Sequence, residues 1–123
     1  NMSSTKKTLP VPFATIQITD TSATASVQYA YSAQAKLVGW FVDNTDNSAK
    51  SYIKFWDATG SVTLGNDDPE AIFMIPGSTS RMFSMPEAIT FSTGVAYAVV
   101  TTGGTAGTGA PSSNLTVRLL LQP

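Results

Sequence analysis

Two carboxylates, Asp57 and Glu70, are of the residue types that a glycoside hydrolase uses as its acid and as its nucleophile or base. The sequence contains eight acidic residues but no histidine and no cysteine. It therefore lacks the commonest general base and any thiolate nucleophile or ligand. Asp57 ends a predicted strand and Glu70 follows Pro69, so a simpler interpretation makes both of them turn residues. We predict that the chain has no catalytic residues and is not an enzyme.

Two loops rich in oxygen ligands are candidate sites for a structural cation, one with Asp43 and Asp46 and the other with Asp67 and Asp68. Hard cations such as calcium take oxygen ligands, but neither loop has the twelve-residue spacing of an EF-hand. Asp and Asn are also the commonest turn formers. The prediction is that no metal or cofactor is bound, with a structural cation at either loop left as an alternative.

Alternation along the segment 52–57 places Tyr52, Lys54 and Trp56 on one strand face, with Ile53 and Phe55 on the other. Exposed aromatic residues and arginines are enriched at protein interfaces. We therefore predict a partner surface that contains Tyr52, Lys54 and Trp56. Two arginines within apolar strands, Arg81 and Arg118, are predicted to belong to an interface as well, or simply to point outward.

Other apolar residues leave two interpretations open. The sequence contains several aromatic residues that could stack on a sugar, although such residues on strands more often form core or cross-strand pairs: Tyr29, Tyr31, Trp40, Tyr52, Trp56 and Tyr97. Three methionines surround the Pro76–Gly77 turn, and we expect them to fill the core: Met74, Met82 and Met85.

The amino-acid composition of the chain limits the classes of partner that we expect it to bind. Charged residues make up only 12% of the chain, about half the usual share, and the formal net charge is -1. Nucleic-acid binding would need clustered Lys and Arg, and no apolar run is long enough for a membrane span, so neither partner is expected. The 14 serines and 17 threonines suggest a hydroxyl-rich surface suited to a chain that packs against other proteins.

A hydrophobic period of two, with frequent β-branched and aromatic residues, predicts strands nearly throughout. Gly and Pro turns separate about eight of them, and no segment has a helical period. This pattern is typical of an all-β protein, here a single antiparallel β-sandwich that is jelly-roll-like. We predict an extended N-terminal arm over residues 1–12 and the sandwich over 13–123, with Pro86 ending one strand and a mobile loop at 103–111.

The second half of the sequence resembles a family of small β-rich proteins of bacteriophage virions. The resemblance rests on the order of four pieces over about seventy residues: the strand Tyr52–Asp57, the loop Thr63–Pro69, the strand and turn Ile72–Gly77, and the run Ile89–Val99 with the closing strand Leu115–Leu121. The first fifty residues carry no resemblance.

The resemblance implies a virion component, either a capsid decoration (cement) protein or a fibre-associated module, with no catalytic residues to transfer. We therefore expect a structural protein on the capsid surface that contacts the major capsid protein and copies of itself, as a trimer or another cyclic oligomer. The alternative is a carbohydrate-binding module of a tail fibre or host-recognition structure.

Overall fold

The computed structural model describes residues 4–9 and 15–123, and in these ranges the chain forms nine β-strands. Their bounds are β1 Ser4–Thr8, β2 Ile16–Ala23, β3 Gln28–Tyr31, β4 Ala35–Asp43, β5 Ser51–Asp57, β6 Ala71–Ile75, β7 Ser80–Phe91, β8 Val95–Val100 and β9 Leu115–Gln122. Within the described ranges there is no helix, and therefore none that could cross a membrane.

The strands form two antiparallel sheets, ordered β1-β2-β9-β4-β7 and β3-β8-β5-β6. Pairing is nested: β2 pairs with β9, β3 with β8, β4 with β7 and β5 with β6. These eight strands make the jelly-roll arrangement of two Greek keys, and β1 adds a ninth strand at one edge. The predicted all-β sandwich is confirmed.

Alternation of side chains along the strands builds the core between the sheets. Leu37, Trp40 and Val42 on β4 face Ile53 and Phe55 on β5, and all five are buried. The rings of Trp40 and Phe55 lie edge to face with centroids 5.8 Å apart, a favoured arrangement for aromatic pairs.

The described part of the predicted N-terminal arm is a strand in the sandwich. Residues 4–8 pair along β2, from Ser4 opposite Asp20 to Thr8 opposite Ile16. Residues 1–3 and 10–14, which include the remainder of the predicted arm and the start of the predicted first strand, lie outside the described residues.

Strand β7 passes through Pro86, where the sequence predicts a strand end. Opposite β4, the pairing jumps from Ser84 to Ile89 while β4 advances only from Gly39 to Leu37. Residues 85–88 therefore bulge out, and Ala88 has a positive φ of 60°. Proline is tolerated in such a bulge because the unpaired residues there need not donate a hydrogen bond to the neighbouring strand.

Candidate interaction surface

The outer face of the four-stranded sheet is covered by two of the chain's own loops, 58–70 and 101–114. Trp56 is only 4% exposed, packs against Val62 and Leu64 of the first loop, and donates its indole N–H to the carbonyl of Asp67 at 2.9 Å. The hydroxyl of Thr105, in the second loop, donates to the Asp68 carboxylate, so the two loops also contact each other.

Lys54 lies beneath the second loop with no exposed surface. Its Nζ donates to the carbonyl of Gly107 at 2.8 Å and to that of Thr105 at 3.4 Å. Burial lowers the pKa of Lys54 below that of an ordinary lysine. The loop predicted to be mobile thus lies against the sheet, anchored through its backbone carbonyls by an ammonium group.

The predicted partner surface on β5 is therefore only partly present. Lys54 and Trp56 are buried in the single chain and offer nothing to a partner, because the loops that cover them pack on that face. Tyr52 is half-buried, with Lys50 Nζ 6.0 Å from its ring centre. The two tryptophans considered for stacking on a sugar, Trp40 and Trp56, are both buried and so cannot contact one.

The outer face of the five-stranded sheet, in contrast, carries an apolar centre that no other described part of the chain covers completely. The pairing register places Phe41 between Met82 of β7 and Arg118 of β9, and Gly39 between Ser84 and Leu120. We call this surface the open face; its central residues are Phe41, Met82, Arg118 and Leu120.

Close packing holds the open face together. A Cβ on Gly39 would lie 3.3 Å from Met82 Cε and 3.7 Å from Leu120 Cδ1, so the glycine lets these two side chains close over the strand. The Arg118 guanidinium lies 5.7 Å from the Phe41 ring centre, within cation–π range. Phe41 and Leu120 remain partly exposed, and Arg118 is exposed.

Methionine positions correct one prediction from sequence. Met74, Met82 and Met85 are 44%, 59% and 41% exposed, so the expectation that they fill the core is wrong. They lie on β6 and β7, where Phe73 and Phe83 take the inward positions; these two rings are 5.3 Å apart. Met74 and Met82 each follow or precede one of these rings and so face outward, whereas Met85 is at the surface because it lies in the bulge at 85–88.

Charge is distributed unevenly. The open face is bordered by Lys7 and Lys36, which register places on the outer side with Arg118, and by the carboxylate of Asp43. Hydrogen bonds from the Thr45 side chain and backbone, with a smaller contribution from Arg118, lower the pKa of Asp43. Asp67, Asp68 and Glu70 instead lie in loop 58–70 over the opposite sheet.

The two predicted interface arginines occupy different places. Arg118 belongs to the open face, while Arg81 is exposed on β7, the edge strand, opposite Val42. Sequence reasoning missed Phe41, Leu120 and Met82. The alternation of β4 and β9 places Phe41 and Leu120 opposite the core positions, which was a usable signal.

Of the two carboxylates considered for catalysis, Glu70 is exposed and Asp57 binds the chain itself. Asp57 accepts hydrogen bonds from the backbone N–H groups of Ser92, Thr93 and Gly94 and from the Ser92 hydroxyl, at 2.8–3.1 Å. Burial raises the pKa of Asp57, but these bonds outweigh that effect and lower it. A general acid needs a raised pKa, and the lowered pKa of Asp57 does not fit that role. The hydrogen bonds of Asp57 instead hold the turn between β7 and β8.

The candidate cation loops use their oxygens in a similar way. The Asp43 carboxylate accepts from the backbone and the hydroxyl of Thr45, and that of Asp67 accepts from the backbone of Thr63. Across residues 4–9 and 15–123, no group of three or more acidic side chains is placed to hold a metal ion. A cavity of about 140 Å³ is lined by Asp46 together with other residues of both characters, among them Asn47, Ala49, Pro111 and Ser112.

Comparison with known proteins yields structural likeness without sequence relatives. No family model matches the sequence, and no curated protein matches it. Among solved structures, the capsular polysaccharide assembling protein CapF from Staphylococcus aureus matches with a TM-score of 0.35 and 11% identity, over 98% of this chain and 28% of that chain. HppE with FeII and substrate gives 0.35 and 10%, over 98% and 50%.

The cupin domain of Drosophila melanogaster CENP-C is similar at a TM-score of 0.28 and 8% identity, over 91% of this chain and 63% of that domain. The chain thus spans between about a quarter and two thirds of these solved chains. At such scores the likenesses carry no argument about function, and the assignment of a jelly roll rests on the strand order above.

Proposed function

We propose that this chain is a non-catalytic structural protein of a bacteriophage virion that decorates the capsid and docks on it through the open face. The observation that carries the proposal is the contrast between the two sheets. One outer face is sealed by the chain's own loops, whereas the other presents Phe41, Met82 and Leu120 with an arginine beside them. The resemblance of residues 52–121 to virion proteins supports the same assignment.

The chemistry of the open face indicates what it would bind. Apolar centres with arginine and a polar border are typical of protein interfaces. Because Lys7, Lys36 and Arg118 outnumber Asp43, the matching surface on the capsid protein should be apolar and acidic.

The size of the open face indicates how it would bind. Five strands about 4.8 Å apart and about seven residues long cover roughly 500 Å². A standard interface buries about 800 Å² on each partner, so one such contact is small. Firm attachment then requires several contacts at once, as in an oligomer bound to a repeating shell.

Capsid binding by Arg118→Glu tests the proposal. The change reverses a charge at the centre of the open face, and we expect it to weaken binding by about 2 kcal/mol, roughly thirty-fold, as for an interface arginine. The matched control is Lys50→Glu, which makes the same kind of reversal beside Tyr52 on the other sheet.

Co-sedimentation of the purified protein with capsids lacking it measures the affinity of each variant. Binding by the wild type and by Lys50→Glu, but not by Arg118→Glu, supports the proposal. Equal binding by all three chains, or no binding of the wild type to capsids, contradicts it. Retention on immobilised host polysaccharide, unaffected by Arg118→Glu, would favour the carbohydrate-binding alternative instead.

A further inference from the structure

The two edges of the five-stranded sheet are protected to different extents. Exposed sheet edges pair with other chains unless lysines, prolines or bulges block them. The β1 edge carries Lys6 and Lys7, and the second half of β7 carries the bulge at 85–88 with Pro86 and Glu87. The first half of β7, Ser80–Ser84, has neither lysine nor proline nor a bulge, and Arg81 is its one charged residue.

This less protected segment, Ser80–Ser84, is also open to solvent. Ser80, Arg81, Met82 and Ser84 are all exposed, and Met82 is 59% exposed. Each strand residue directs its backbone groups to one side only, so half of those in Ser80–Ser84 point away from β4. The segment is therefore a ready template for one more antiparallel strand.

The sequence of this segment is self-complementary about its central residue. In Ser80-Arg81-Met82-Phe83-Ser84, antiparallel pairing with a second copy centred on Met82 places Ser80 opposite Ser84 and Arg81 opposite Phe83. Each arginine then meets an aromatic ring rather than the other arginine, and the two Met82 side chains meet on the outer face.

We propose that a second copy of this chain pairs with the first through Ser80–Ser84, forming a two-fold dimer in which the five-stranded sheets join into one. A two-fold contact needs a surface that complements itself, and this segment does so at every position. The dimer joins the two open faces at their Met82 ends into one larger apolar surface.

Disulfide capture tests the contact, because the sequence has no native cysteine. Directly opposed Cβ atoms in an antiparallel pair are about 4.5–5.5 Å apart, close to disulfide range, so Met82→Cys should cross-link to itself under mild oxidation. Ser22→Cys, an exposed position at the far end of β2, is the control; there the backbone N–H bonds to Asp20.

A mixed experiment tests the register. Ser80→Cys and Ser84→Cys chains should cross-link with each other but not with themselves, because like positions are four residues apart, about 13 Å. In parallel, Met82→Lys places two ammonium groups face to face at the axis and should leave a folded monomer.

Sedimentation gives the assembly mass without any capsid, so the outcome does not depend on the proposed function. Twice the 12.9 kDa chain mass for the wild type and Ser22→Cys, with the single-chain mass for Met82→Lys, supports the dimer. A wild-type monomer at about 100 µM or a trimer overturns the inference. So does cross-linking of Met82→Cys no faster than Ser22→Cys, or self-linking of Ser80→Cys as fast as the mixed pair.

Discussion

Replacing Tyr97 by Phe tests a polar contact buried in the middle of the sandwich. Tyr97 on β8 and Asp20 on β2 have no exposed surface, and the Tyr97 hydroxyl donates to the Asp20 carboxyl at 2.6 Å. Asp20 also accepts the backbone N–H of Ser22 at 2.9 Å. Burial, with the bond to Asp20, raises the pKa of Tyr97 well above its usual range, so the hydroxyl stays protonated and donates.

The expected loss follows from the chemistry of this bond. A hydrogen bond to a charged group contributes about 1.5–3 kcal/mol, and Tyr97→Phe removes the donor while leaving the carboxyl buried. We expect the free energy of unfolding to fall by about 2 kcal/mol. For a domain of this size, that corresponds to a midpoint lower by about 8 °C.

Urea unfolding at pH 7 measures the loss. Tyr52→Phe removes a hydroxyl from a half-buried ring on the outer face, and as the control it should cost less than about 0.5 kcal/mol. In an Asp20→Asn background the cost of Tyr97→Phe should drop to about 1 kcal/mol, since the acceptor is then neutral. Equal costs for Tyr97→Phe and Tyr52→Phe, or an unchanged cost in the Asp20→Asn background, would refute the reasoning.

Two further predictions concern Asp57 and Lys54. Because the folded pKa of Asp57 is lowered, the stability that its carboxylate contributes is present above the usual carboxyl pKa of about 3.9 and is lost as the pH falls through the folded value. The Asp57→Asn variant should therefore lose thermal stability less steeply in acid than the wild type does. The control is Asp46→Asn at an exposed position, which should lose stability in acid as steeply as the wild type. Lys54→Met removes the donor to the carbonyls of Thr105 and Gly107, so amide hydrogen exchange should accelerate in 102–109 but not in Lys50→Met, and identical exchange in both variants would contradict the anchoring role.

Much of the fold follows from local pattern. The apolar run at 36–42 and the alternation at 115–121 both predict strands, and the structure buries Leu37, Val42 and Leu119 there. Whether a segment forms a strand depends on the residue types two positions apart, and these can be compared in the sequence itself. Turn chemistry likewise predicts that Asp57 closes a turn.

Errors arose where the partner of a residue is distant in sequence. The sequence pattern predicts that Lys54 lies at the surface. In the structure it is buried beneath loop 101–114 and donates to two carbonyls of that loop, which lie more than fifty residues later in the chain. The glycine-rich stretch at 103–111 reads as mobile because it has no large apolar residue, and its anchor is a cation on another strand. Pro86 reads as a strand end because a bulge depends on the register with β4.

The composition and periodicity of this chain are enough to indicate an all-β sandwich without histidine or cysteine chemistry, because both are properties of residue types and close neighbours. Which outer face is sealed and which is open depends on where loops 58–70 and 101–114 fold, and pairwise contacts across the whole chain decide that. The exposed methionines and the self-complementary edge at Ser80–Ser84 gain their meaning only once β7 is known to be the last strand of its sheet.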